Sequence, residues 1–362
     1  MEEAQPRTRF AHWRPLPARL LLALLILLCA YGATLSVQPV PARSETVVDR
    51  TDTDLALYQA VAARVGAGEG YYPAVVAEQR ARDYPLRPIV TVRLPTLATL
   101  IGTIGPDAAS LLLRLLAFAA IAALAIRLRA SSGSRLRWGV ATGLAAAAIA
   151  LLTVPVMTFW HESWAALFIA LSLACHTPKR WAASLVFGIC AVAIRELAVP
   201  YLGVMAVLAW RDGNRREAAA WAGAILLFFV MLGGHAFALS HYVTASDGAS
   251  QGWSGAGGWP FILGMAQRCT LLALVQPPLI ALLLPLSLLG WAARRTPTFE
   301  RGALMLCGYI AAFMIVGRPD NFYWALLLAP LLPIGLAFAP GALRDLGAAA
   351  ALRSARPAPA AA

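Results

Sequence analysis

The chain has 362 residues, 60% of them hydrophobic and 13% charged, with a mean hydropathy of +0.67. That balance excludes an ordinary soluble domain of this length and makes lipid the solvent for most of the chain. The formal charge of +12 comes from short basic clusters between apolar runs, with no continuous basic stripe, which argues against a nucleic-acid partner and for loops that fix membrane topology.

In chain order, residues 1–19 read as a cytoplasmic segment carrying Arg7, Arg9, Arg14 and Arg19. The apolar run 20–35 is either a signal-peptide core or an uncleaved first helix; the uncleaved helix is the expectation, and downstream orientation is the same for both. Further runs follow at 108–126, 138–154, 164–175, 182–194, 197–210, 218–239, 271–291, 302–316 and 322–339. They predict an all-α, polytopic membrane domain over 20–339 with about ten spans. Several runs fall short of the roughly 20 residues of a straight span, so some spans should be tilted, broken or partly inserted.

Alternation from a cytoplasmic N-terminus puts the basic tips 127–137, 179–180, 211–216 and 294–301 on one side, together with a tail, 340–362, expected to be cytoplasmic and disordered. The opposite side receives a long external loop, 36–107, after the first span, the tip 160–163, the Arg195-Glu196 pair, a Gly-rich external loop, 240–268, and the tip 317–321. Five single cysteines, Cys29, Cys175, Cys190, Cys269 and Cys307, have no metal-ligand spacing and read as small hydrophobes. No internal repeat supports an inverted-repeat transporter.

Nearly all residues able to do chemistry thus face outward. Asp49, Asp52 and Asp54 lead into a short amphipathic helix containing Tyr58. Such acids could bind a divalent cation or act as a base, whereas the plainer reading is a solvated helix start favoured by capping and the dipole. Arg87 and Arg93, among prolines, either hold a lipid phosphate or snorkel to headgroups. Trp160-His161-Glu162 sets a titratable pair beside an aromatic anchor. Arg195-Glu196 interrupts an apolar stretch, as a plain external tip or as a polar cavity wall with Arg195 on a phosphate. In the string Arg318-Pro319-Asp320-Asn321-Phe322-Tyr323-Trp324, Arg318 suits a phosphate, Asp320 and Asn321 suit sugar hydroxyls, and the aromatics suit sugar ring faces; a polar turn with an aromatic belt is the alternative.

An Asp four residues before a Tyr just outside the first membrane helix, followed by a small-residue helix, a Gly and the Tyr71-Tyr72 pair, resembles the first external loop of the GT-C membrane glycosyltransferases. The segment Tyr84-Pro85-Leu86-Arg87-Pro88 through Arg93-Leu94-Pro95 resembles the Tyr- and Pro-rich stretch before their second membrane helix. The resemblance implies transfer of a sugar from a polyprenyl-phosphate donor to a glycan or lipid-linked acceptor, with an acidic residue of this loop as catalytic base. By its place relative to Tyr58 the matching position is Asp54, with Asp52 second and Glu162 a further candidate. Tyr58, Arg87, His161, Arg195, Arg318, Asp320 and Asn321 are then expected to bind substrate. The Arg-Pro-Asp-Asn-Phe-Tyr-Trp, Arg-Glu-Leu and Tyr-Pro-Leu strings also resemble uncharacterised bacterial membrane proteins linked to cell-surface glycopolymer formation, which implies the inner membrane. GT-C enzymes often carry a soluble domain after the last span; with only 340–362 following here, acceptor recognition is expected from the external loops or a partner. The rival expectation is a non-enzymatic export or assembly subunit, or a lipid-carrier flippase, which should instead line a midplane path with charge.

Overall fold

The computed structural model describes residues 8–35 and 53–351, and within them it is built from helices, with isolated bridges at Arg87–Ala249 and Thr177–Arg180 but no strand. Five helical stretches are long and apolar enough to cross a membrane: Pro15–Thr34, Pro106–Ser132, Arg135–Thr153, Arg215–Ser240 and Pro297–Ile315. The protein is a helical membrane protein.

The first of these is α1 (Pro15–Thr34). In the described part of 36–107 the short helix expected after the acids is α2 (Asp54–Gly66), and with α3 (Tyr71–Ala81) and α4 (Thr96–Ile104) it packs through Leu57, Val61, Val75, Val76, Leu86, Val92 and Ala98. Close approach of α2 to α4 depends on Gly66 and Gly102, since a Cβ on Gly102 would meet the Gly66 backbone nitrogen at 2.9 Å. Then come α5 (Pro106–Ser132) and α6 (Arg135–Ala150).

At the centre lies α7 (His161–Cys175), in which every residue but Phe168 and Cys175 is buried. Buried on every side, it has no face for solvent or lipid and is enclosed by α5, α8 (Ala182–Ile194) and the chain near 323–327. The helices α9 (Val199–Arg211) and α10 (Arg215–Ser240) form an antiparallel pair beside it.

Several expectations are revised beyond this point. The supposed loop 240–268 contains α11 (Gly258–Cys269), whose Trp259, Ile262, Leu263 and Ala266 recur at helical spacing and are buried. The run 271–291 is a short 3-10 turn, Leu271–Leu274, followed after Val275 and Gln276 by α12 (Pro277–Ala292). The run 322–339 is likewise not an α-helix. After α13 (Pro297–Ile315) the chain winds through 3-10 turns at Pro319–Leu327 and Leu332–Ala337. Pro330 and Pro333 remove two backbone donors there. Irregular backbone survives in an apolar setting only when enclosed and hydrogen-bonded. Both conditions hold: 323–335 is buried throughout, Trp291 Nε1 donates to the Leu331 carbonyl at 2.9 Å and the Ser287 hydroxyl donates to Leu332.

Last comes α14 (Ala339–Ala351), so the tail expected to be disordered from 340 is helical to 351 and docks Ala342, Leu346 and Ala349 against Phe10 and Ala293; residues beyond 351 lie outside the described part. Contacts gather the basic tips at one end of the molecule. Arg9 and Arg211 share Glu300, Arg301 reaches Asp212, and Arg19 donates to the Ala350 carbonyl.

Candidate functional site

The opposite end gathers the chemistry. Thr53 caps α2, its hydroxyl accepting from the Ala56 amide at 3.2 Å. The plainer expectation for the acids holds in part at Asp54: it sits in the first turn of α2, where the helix dipole favours a carboxylate, but a threonine does the capping, and the Asp54 carboxylate faces a cavity, where Oδ1 accepts from the Tyr84 hydroxyl at 2.7 Å. One helical turn on, the Tyr58 ring packs edge-on against His161, with centroids 4.8 Å apart, and against Trp160. Its hydroxyl accepts from Arg93 Nε at 3.2 Å. Burial, opposed by the charge of Arg93, pushes this phenol well above its ordinary value. Tyr58 thus keeps its proton at neutral pH and can donate it into the cavity.

A second wall comes from the start of α7 and the break between α8 and α9. Arg195 Nε donates to Glu162 Oε1 at 2.6 Å, and both side chains are 1% exposed. Arg195 also binds Glu196, which pairs with Arg93 at 3.3 Å, and Arg93 reaches the Tyr323 hydroxyl at 3.4 Å. The result is an alternating chain, Glu162–Arg195–Glu196–Arg93–Tyr58, in which each buried charge has an opposite neighbour. Arg195-Glu196 is accordingly a cavity wall and not a plain external tip.

The third wall is the 3-10 segment after α13. Asn321 Oδ1 accepts from the Arg318 amide at 3.0 Å, and the Arg318 guanidinium lies 3.0 Å from Asp320. Arg318 Nε is buried with no hydrogen-bond partner among the described residues. From α11, Arg268 lies over the Phe322 ring, 4.9 Å from its centroid, and forms no ion pair with a described residue.

These walls enclose a cavity of about 1360 Å³. Of the residues expected to form a site, Asp54, Tyr58, His161, Arg195, Arg318, Asp320 and Asn321 line it together. Glu162 stands behind the wall, fully buried and held by Arg195. Arg87 is not brought in: it is exposed and donates to the Asp247 carbonyl at 3.0 Å. Asp52, and Asp49 beside it, lie outside the described residues. Among those described, no group of three or more His, Cys, Asp or Glu side chains converges as metal ligands would. Sequence reasoning passed over Tyr84 and Arg268 as site residues, weighed Glu196 and Tyr323 only as part of the Arg195-Glu196 pair and the aromatic string, and placed Arg87 rather than Arg93 among the substrate-binding residues. The signal for Arg268 was available in the helical spacing of α11; nothing local distinguishes the two arginines among prolines.

A strap crosses the rim. The Leu86 and Arg87 amides both donate to the Gly248 carbonyl, the Ser250 amide donates to Arg87, and the Gly317 amide donates to Trp253. Ser250 and Trp253 line the cavity beneath. Arg80 clamps the strap by two hydrogen bonds to Asp247, at 2.7 and 2.8 Å. Those bonds hold the Asp247 carboxyl well below the ordinary carboxylate range. Since the folded-state value is depressed, the clamp's contribution is present above the ordinary carboxylate value and is lost only as pH falls through the depressed one. Strap protection, corrected for intrinsic exchange, should therefore be flat from pH 7 to about pH 4. Asp247→Asn should raise amide exchange in 247–255 by roughly two- to five-fold, the scale of an exposed ion pair. Hydrogen exchange read by mass spectrometry checks both; an unchanged strap in the variant would mean its backbone bonds alone hold it.

Comparison with protein-family models, curated proteins and solved structures gives no match to this chain.

Proposed function

We propose that this chain is a multi-pass glycosyltransferase of the bacterial inner membrane, resembling the GT-C type, that takes a sugar from a polyprenyl-phosphate donor and adds it to a cell-surface glycan or its lipid-linked precursor. About ten membrane crossings with both chain ends in the cytoplasm would place the cavity at the outer face and the joined basic tips at the inner one.

One observation carries the reading: a single cavity sets a carboxylate, Asp54, among its lining groups together with two arginines, Arg268 and Arg318, that retain unused hydrogen-bonding capacity. Asp54 takes the proton of the acceptor hydroxyl. That oxygen forms its bond to the anomeric carbon as the bond from carbon to phosphate oxygen breaks, with inversion. Arg268 and Arg318 hold the departing phosphate, whose charge grows in the transition state. Tyr323, Trp160 and Asn321 offer ring faces and an amide to the sugar. By contrast, Arg93 and Arg195 are neutralised by Glu196 and Glu162 and serve to shape the wall.

Purified protein incubated with radiolabelled polyprenyl-phosphate sugars and a membrane-lipid acceptor fraction, with and without a divalent cation, tests the reading; the expected result is a labelled glycolipid or glycan. Movement of labelled carrier across vesicles without product would instead identify a flippase. Arg268→Ala should lower kcat/KM by roughly ten- to a hundred-fold by removing a charge-assisted phosphate contact. Arg318→Lys should weaken activity although charge is kept, because a single ammonium does not reproduce the planar fork. Wild-type kinetics in both variants would place the phosphate elsewhere.

A further inference from the structure

A second cavity, of about 370 Å³, lies at the opposite end of the molecule, lined by Thr8, Arg9, His12, Ala293, Arg294, Arg295 and Thr296. It sits where the N-terminal turn Arg9–His12 meets the end of α12 and the start of α13. Four of the seven lining residues are basic and none is acidic. Nearby acids are already engaged: Glu300 pairs with Arg9 and Arg211, and Asp345 takes the Thr8 amide and Arg344. Arg294 and Arg295 make no side-chain hydrogen bond or ion pair with a described residue, and Arg9 Nε is buried without a partner. Burial and the nearby charge of Arg137 both work against the charged form of Arg294. Cations packed together with unused donors are stabilised by an anion that shares their cavity.

We propose that this cavity binds a phosphoryl group, as an anionic phospholipid headgroup or as free phosphate. Two of its neighbours, α1 and α13, are helices long enough to span a membrane, and both begin beside it, which is headgroup depth. The start of α13 adds the positive end of a helix dipole. Arg9 is the anchor, fixed by its amide to the Ala293 carbonyl and by its guanidinium to the Arg294 carbonyl at 3.0 Å. Arg294 and Arg295 then close over the anion from the α12–α13 junction.

The test uses the full chain in a neutral detergent, titrated with short-chain phosphatidylglycerol or phosphatidylcholine and read by native mass spectrometry. One tightly held phosphatidylglycerol is expected, with phosphatidylcholine much weaker. Arg294→Gln and Arg295→Gln, which break no described bond, should each weaken phosphatidylglycerol by about five-fold. Competition by millimolar inorganic phosphate would show that a free phosphoryl group suffices, and its absence with retained lipid binding would make the lipid the ligand; both support the site. Equal binding of the two lipids by the wild type, or equal phosphatidylglycerol binding by wild type and both variants, overturns it.

Discussion

Asp54→Asn should lower turnover by roughly two to four orders of magnitude, the range lost with a general base. The protein should still insert and fold normally. Asparagine is nearly isosteric, its amide oxygen can still accept from the Tyr84 hydroxyl, and Thr53 keeps the helix cap. Tyr84→Phe tests the same carboxylate from its partner's side. Loss of that 2.7 Å bond frees Asp54 to turn, and activity should fall far less, about ten-fold. The measurement is product formation from a labelled polyprenyl-phosphate sugar, with folding checked by size-exclusion profile and thermal unfolding in detergent. Normal turnover in a well-folded Asp54→Asn protein would move the base elsewhere. Glu162 would be a poor substitute, since it is sealed behind Arg195.

Arg195→Met should cost about 3–5 kcal/mol of stability by leaving Glu162 and Glu196 facing each other across a site from which their shared cation has gone. Glu162 Oε2 already has no partner, so the variant would strand a carboxylate that is fully buried. In a chain of this size that corresponds to a fall in unfolding temperature of roughly 10 °C. The double variant Arg195→Met/Glu162→Leu removes both buried charges and should recover much of the loss, because a well-packed apolar pair often matches a buried ion pair in stability. Turnover should not return with it, since Glu196 and Arg93 would lose a neighbour that lines the substrate cavity. A single variant as stable as the wild type would show that the pair contributes nothing net.

Much of the fold was legible because lipid-compatible helices announce themselves by length and composition. The long runs reappear as α1, α5, α6, α10 and α13, with limits up to about six residues from those expected. Failures fall where local signals conflict. Residues 322–339 are as apolar as a span, yet Pro330, Pro333 and Gly335 keep them from an α-helix, and burial, 3-10 hydrogen bonds and the donors of Ser287 and Trp291 together make the irregular path acceptable. Residues 258–268 fell within the expected Gly-rich loop 240–268, although the spacing of Trp259, Ile262, Leu263 and Ala266 was helical all along.

The sequence by itself determined the solvent and the long helices: apolar runs of span length require backbone groups to be satisfied within helices, and the basic tips require a common side. It also supplied most of the candidate residues, because polar and ionisable side chains in so apolar a chain are few enough to be conspicuous. Only the tertiary structure decided their partners. Arg87 and Arg93 sit six positions apart among prolines; one ties down the strap, and the other lies at the centre of the buried charge chain. Glu162 and Arg195 meet across 33 positions, and Asp54 and Tyr84 across 30. Pairings of that range are set by how α2, α7 and the α8–α9 break pack against one another, a consequence of side-chain volume and burial over the whole core that no local pattern encodes.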